Sequence, residues 1–80
     1  MDDPVACVLE VIVRGLVDEP DEVSIEALGD AGGTTYEVTV AQPDVGKVIG
    51  RQGRVAGALR MVARAAAMKS HRRVQVEFAA

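Results

Sequence analysis

The hydrophobic positions of this chain change period several times, and each change marks an element. Val5, Val8, Leu9, Ile12 and Leu16 recur at helical spacing, with Glu10 and Arg14 as an i,i+4 pair on the other side. Pro4 suits a first helical turn, where a missing N–H costs nothing, and Asp3 is the capping residue before it. Asp18-Glu19-Pro20-Asp21 is a polar stop. Two alternating segments follow. Val23, Ile25 and Ala27 share one face of the first; Tyr36, Val38 and Val40 share one face of the second, opposite Thr35, Glu37 and Thr39. Gly29-Asp30-Ala31-Gly32-Gly33 between them reads as a hairpin connection.

After Pro43, Asp44 is expected to cap a short helix that ends at Gly50. A second helix, rich in alanine and free of proline, is expected from residue 53 to about 68, with Val55, Leu59, Val62 and Ala66 as its core stripe. Ser70-His71 breaks it, and alternation returns with Val74, Val76 and Phe78 on one side. The order is helix, strand, strand, helix, helix, strand. One apolar face per strand puts every helix on the same side of a three-stranded sheet, an α+β arrangement. The first two strands make an antiparallel hairpin. The helical pair is long enough to cross over and return the last strand parallel to a neighbour, so the sheet is mixed.

Eighty residues, 49% of them hydrophobic, suffice for one core and one domain, residues 1–80. The lone Cys7 cannot form an intramolecular disulfide, which implies a reducing cytoplasm, and it reads as a small buried hydrophobe on the first helix. Glu10 and Arg14 interrupt the apolar run at 5–17, and Asp2 and Asp3 precede it; neither a signal peptide nor a membrane span is indicated. The expectation is a soluble cytoplasmic protein with no membrane partner. Net charge is −3, yet its distribution is uneven. Residues 1–43 hold ten acids and one base, and residues 44–80 hold eight bases and two acids. That asymmetry gives one face that attracts polyanions and one that repels them.

The attractive half contains Val48-Ile49-Gly50-Arg51-Gln52-Gly53-Arg54, two glycines around a basic and polar pair, set between helices. Gly50 can close the upstream helix in a left-handed conformation. Gly53 stands where the downstream helix presents unpartnered N–H groups and a positive dipole end, so a phosphodiester can approach closely. Arg51 and Arg54 add charge-assisted contacts. A second G-x-x-G, Gly29-Asp30-Ala31-Gly32, has an acidic middle and falls in the hairpin, where it cannot serve phosphate.

With this element order, the [VI]-I-G-x-x-G loop between two helices resembles a type II KH domain. The stretch Asp44-Val45-Gly46-Lys47-Val48-Ile49-Gly50-Arg51-Gln52-Gly53-Arg54 is similar to the small stand-alone bacterial KH proteins of the KhpA family, as are Leu16-Val17-Asp18, Pro20-Asp21 and Val23. The resemblance implies single-stranded RNA binding and a role in post-transcriptional regulation or as an RNA chaperone. It implies RNA contacts at Lys47, Ile49, Gly50, Arg51, Gln52, Gly53, Arg54, Gly57 and Arg60, with bases entering an apolar groove beside the loop. It also implies a homodimer or pairing with a larger KH-domain protein. The chain differs from KH domains at large at Ala56 and Gly57, where a large aliphatic residue and a lysine are common.

Other classes fit less well. One His and one Cys provide no metal cluster and no nucleophilic triad, and no catalytic residue, metal ligand or cofactor is assigned. No P-loop or dinucleotide fingerprint is present. The polar strand faces lack the aromatic platform of an RRM. A DNA-reading helix-turn-helix needs base-reading side chains where Val55, Ala56, Gly57 and Ala58 stand. The alternative from another class is a protein-interaction or dimerisation module, in which Gly57, Met61, Arg64 and Met68 line one side of the long helix as a helix-on-helix interface.

Overall fold

The computed structural model describes residues 3–79, and for Asp30 the backbone alone. Asp2 therefore lies outside the described residues. The elements are α1 (Pro4–Leu16), β1 (Ser24–Asp30), β2 (Gly33–Thr39), α2 (Val45–Ile49), α3 (Arg54–Ala66) and β3 (Val74–Ala79). Short 3-10 turns at Pro20–Glu22, Gln42–Asp44 and Met68–Ser70 and a tight non-helical turn at Arg51–Gly53 join them. The sheet runs β1-β2-β3, with β1 antiparallel and β3 parallel to the central β2. This is the expected α+β fold with a mixed three-stranded sheet. Asp30 pairs with Gly33 across a tight turn, so the hairpin connection narrows to Ala31 and Gly32.

Asp3 caps α1 as expected, accepting from the N–H of Val5 at 3.0 Å and Ala6 at 3.1 Å. It also accepts the hydroxyl of Tyr36 at 2.9 and 3.0 Å, which ties the start of α1 to the central strand. The core joins Val5, Leu9 and Val13 of α1 to Tyr36, Val38 and Val40, to Val48 of α2, to Leu59 and Ala63 of α3 and to Val74 and Val76 of β3. Glu10 and Arg14 pair at 3.0 Å on the solvent side.

Several faces are rotated from those expected. On α1 the stripe ends at buried Val13, while Leu16 in the last turn is exposed, and Cys7 is exposed instead of buried. On β1 the cover stops early: Val23 is buried, Ile25 half-buried and Ala27 exposed, because β1 is an edge strand that the helices only partly overlie. On α3 the buried line is Ala56, Leu59, Ala63 and then Ala67, with Val55 and Ala66 packed at its margin and Val62 half-buried. Small side chains occupy the centre of the contact, which lets helices approach closely, and the larger Val55 and Val62 flank it. The helix ends at Ala66, so Met68 sits in the following 3-10 turn and not on the helix.

Candidate nucleic-acid interface

The turn between α2 and α3 uses three residues with positive φ. Gly50 ends α2 at φ 76 and ψ 172, a positive-φ conformation that residues with a Cβ resist, as expected, though its ψ lies outside the left-handed helical well. Gln52 (φ 57) and Gly53 (φ 74) are the left-handed residues. The N–H of Gly50 donates to Gly46 at 2.9 Å, that of Gly53 to Gly50 at 3.1 Å, and that of Arg54 to Arg51. Two of the amides expected to be open to phosphate, those of Gly53 and Arg54, are thus consumed by the turn. What the turn offers is the positive end of α3, the exposed side chains of Arg51, Gln52 and Arg54, and open space at Gly53, where an added Cβ would have nothing within 4 Å. Gly50 has a different role: its missing side chain makes room for Val55.

The other expected contact residues divide. Ile49 is half-buried at the end of α2, and Gly57 leaves open space one turn into α3. Arg60 is exposed but anchored: its Nε donates to the carbonyl of Val76 at 3.3 Å and its guanidinium lies 5.4 Å from the ring centre of Phe78. Lys47 is already engaged. Its Nζ lies 3.2 Å from the carboxylate of Asp18 and 3.4 Å from that of Asp44, and the bond to Asp18 leads in raising its pKa.

Asp44 does not cap α2 through its side chain. Its carboxylate is 1% exposed and accepts the N–H of Glu19 at 3.0 Å, twenty-five residues away in sequence. Burial alone would push this carboxyl up; the backbone N–H groups of Asp18 and Glu19, with the Lys47 ammonium, more than offset that and hold it below the ordinary range. The triad Asp18, Asp44 and Lys47 thereby fastens the segment after α1 to the helix that leads into the glycine turn. Sequence reasoning missed this pairing because nothing local links Asp44 to Glu19; only the i,i+3 spacing to Lys47 was visible.

Charge separates by face. Glu26, Glu37 and Glu77 stand in register across the three strands on the side opposite the helices. Arg51, Arg54, Arg60 and Arg64 lie on the helical side. A polyanion is therefore steered to α3 and repelled from the open sheet face. On α3, Met61 and, beyond its end, Met68 are 69% and 72% exposed, with Arg64 exposed and Gly57 partly buried. Among the described residues no three His, Cys, Asp or Glu side chains are placed to hold a metal, and no helix is long and apolar enough to cross a membrane.

Helices on one side of a mixed sheet, with a G-x-x-G turn joining the second helix to the third, define a KH domain. The family described as "KhpA/KhpB, KH domain" matches residues 7–78. Among similar proteins, the RNA-binding protein KhpA of Borreliella burgdorferi is 48% identical over 69 residues, 86% of this chain and 84% of the relative. That of Clostridium acetobutylicum is 49% identical over 69 residues, 86% and 92% of the two chains. That of Mycobacterium bovis is 52% identical over 52 residues, 65% of each. The fold is also similar to part of Era from Aquifex aeolicus, in a crystal structure bound to GDP.AlF4-, with a TM-score of 0.68 and 17% identity over 92% of this chain and 29% of that one. The chain belongs to the KhpA/KhpB KH-domain family. It is a member of a family of binding domains, not of enzymes.

Proposed function

We propose that this chain binds single-stranded RNA, in the cytoplasm, as a post-transcriptional regulator or RNA chaperone, with the turn at residues 50–53 laid against the RNA backbone. The observation that carries the reading is the turn itself. Its left-handed Gln52 and Gly53 push Arg51 and Gln52 into solvent at the positive end of α3, and no side chain covers Gly53. The names of the KhpA relatives, RNA-binding proteins, support the ligand. Because Lys47 is held by two carboxylates, Arg51 and Arg54 carry the charge. Gly57 leaves room for bases to enter beside the loop, and Arg60 borders that space.

Binding is weak and tolerant of sequence. Tyr36 is buried, and Phe78 lies half-buried under Arg60, so the stacking of about 1–3 kcal/mol per base that aromatic platforms supply is lacking. Two or three neutralised phosphates give a slope of log K against log salt of about −1.4 to −2, with a Kd near micromolar or weaker. Titration of a labelled pyrimidine-rich oligomer at several salt concentrations measures both. Replacing Arg51 and Gln52 together by Asp sets two carboxylates against phosphate and abolishes binding. Stability changes by no more than about 0.5 kcal/mol, since both sites are exposed and Asp tolerates the left-handed position. Unchanged affinity in the folded double variant, or equal affinity for duplex, overturns the clamp.

A second, compatible reading is self-association or pairing with a larger KH-domain protein through Gly57, Met61, Arg64 and Met68. Two exposed methionines beside an arginine and a glycine favour it, since adaptable apolar side chains suit a helix-on-helix contact.

A further inference from the structure

The clefts beside α3 continue past its C-terminal end. Arg60 and Arg64 face β3, an edge strand, across a cleft of about 310 Å³ that also includes Glu77. Arg64 and Val74 line the next cleft, of about 320 Å³, which adds His71, Arg72 and Arg73. Those last three line a third, of about 480 Å³, closed by the hairpin backbone at Ala31, Gly32 and Gly33.

This end of the molecule is fastened. The N–H of Thr34 donates to the carbonyl of Arg73 at 2.9 Å, and the guanidinium of Arg72 donates to Oγ1 of Thr34. Gly33, at φ 140, lies so close to Arg73 that a Cβ there would collide with the Arg73 carbonyl. The cations thus stand on braced backbone, which lowers the cost of ordering them around a ligand. Among the described residues Arg64, Arg72 and Arg73 have no carboxylate within ion-pair distance. Glu77 borders the first of these clefts; the other acids on the bordering strands are Glu26 and Asp30 of β1 and Glu37 of β2, and Glu26, Glu37 and Glu77 stand on the face away from the helices.

We infer that Arg72 and Arg73, with Arg64 leading to them, form a second phosphate station, which holds the same RNA strand beyond the nucleotides gripped at residues 50–53. The inference rests on the proposed RNA binding. Guanidinium groups suit phosphate because their forked donors match its oxygens. The 13 residues of α3 span about 20 Å, so the two stations lie at opposite ends of the helix. A KH loop grips about four nucleotides, so reaching the far station takes a strand of about eight.

Oligouridylates of four and eight nucleotides, titrated by fluorescence anisotropy over a salt series, test this. The number of phosphates engaged is read from the slope, which additional binding registers on a longer strand do not alter. The eight-nucleotide strand should show a slope steeper by about 1.4, two contacts at about 0.7 each. Arg72→Gln with Arg73→Gln should remove that increment and weaken the eight-nucleotide complex about 25-fold at 0.1 M salt, by the same slope. Arg73→Gln alone, which keeps the Arg72–Thr34 bond and therefore the brace, should remove about half of the increment and weaken binding about fivefold. Equal slopes for the two lengths, or an unchanged slope in folded Arg73→Gln, overturn the station. If the four-nucleotide strand binds and loses binding in the Arg51/Gln52 double variant while length adds no slope, the far station falls and the clamp stands. If neither length binds, both fall.

Discussion

A methyl group on Gly50 would stand 2.5 Å from Cγ2 of Val55 and 2.9 Å from its backbone nitrogen. The first glycine of the turn is thus required by packing as well as by its positive φ, while the second, Gly53, is required by φ alone. Gly50→Ala combines overpacking with backbone strain and should cost about 3 kcal/mol. Gly53→Ala should cost about 1 kcal/mol, the left-handed penalty of a residue with a Cβ. Urea denaturation of the two variants measures the difference, and equal losses would show that Val55 yields.

That distinction also marks what the sequence could tell. Two glycines three apart between helical patterns located the turn, because glycine spacing and period are local properties. Which glycine packs and which opens depends on where Val55 points, a property of the assembled helices. The same division runs through the fold. Asp3, Pro4 and the alternation around Tyr36 placed their elements closely, since capping and period act over a few residues. The rotation of the α3 stripe toward Ala56 and Ala63 was hidden because hydrophobicity ranks Val above Ala, whereas close helix approach selects the smaller side chain. Lys47 looked like a free cation beside the loop; its partners Asp18 and Asp44 lie on two segments that only tertiary structure brings together.

Asp44 gives stability a defined acid limb. Its folded pKa lies below the value near 3.9 expected in the unfolded chain. Below that value the unfolded state binds the proton more readily, so the contribution is complete above about pH 4 and is lost as pH falls through the folded pKa. Asp44→Ala should lower the denaturant midpoint at pH 7, by orphaning the Glu19 amide and releasing Lys47, and the gap to wild type should close on acidification. A gap independent of pH would place the effect in packing instead of charge. In the variant Lys47 loses one of its two carboxylate partners, so RNA affinity should hold or rise if the fold survives.

The bond from Tyr36 to Asp3 gives the alkaline counterpart. Burial first, then the hydrogen bond to the Asp3 carboxylate and its negative charge, push the phenol up to about 12. A raised folded pKa means stability is fully present below the unfolded value near 10 and is lost as pH climbs through about 12. Since Tyr36 is the chain's single tyrosine, ultraviolet titration of the phenolate reads it directly. Ionisation near 10 in the folded protein would mean that neither the burial of the phenol nor its bond to Asp3 is kept in solution. Tyr36→Phe should cost about 1.5 kcal/mol, the usual worth of a hydrogen bond to a charged group, because Asp3 keeps its two helix-capping amides.

Met61 tests self-association. Its side chain is 69% exposed, on the part of α3 turned away from the buried Leu59 and Ala63, so the fold does not depend on it. Met61→Glu should therefore change stability by no more than about 0.5 kcal/mol. In a two-fold dimer with α3 packed on its copy near this residue, each glutamate would be buried against the other in an apolar contact, which carboxylates resist strongly. The expected outcome is a folded monomer by light scattering after size exclusion, with circular dichroism unchanged from a dimeric wild type. A wild type that stays monomeric at high micromolar concentration removes the interface, and with it the assignment of Met68 and Arg64 to that surface. If the dimer is real, its loss should also weaken binding to RNA long enough to reach both clamps, because two linked sites gain through effective concentration. Binding of a four-nucleotide strand, which one clamp fills, should not change, and that contrast separates lost avidity from a damaged RNA site.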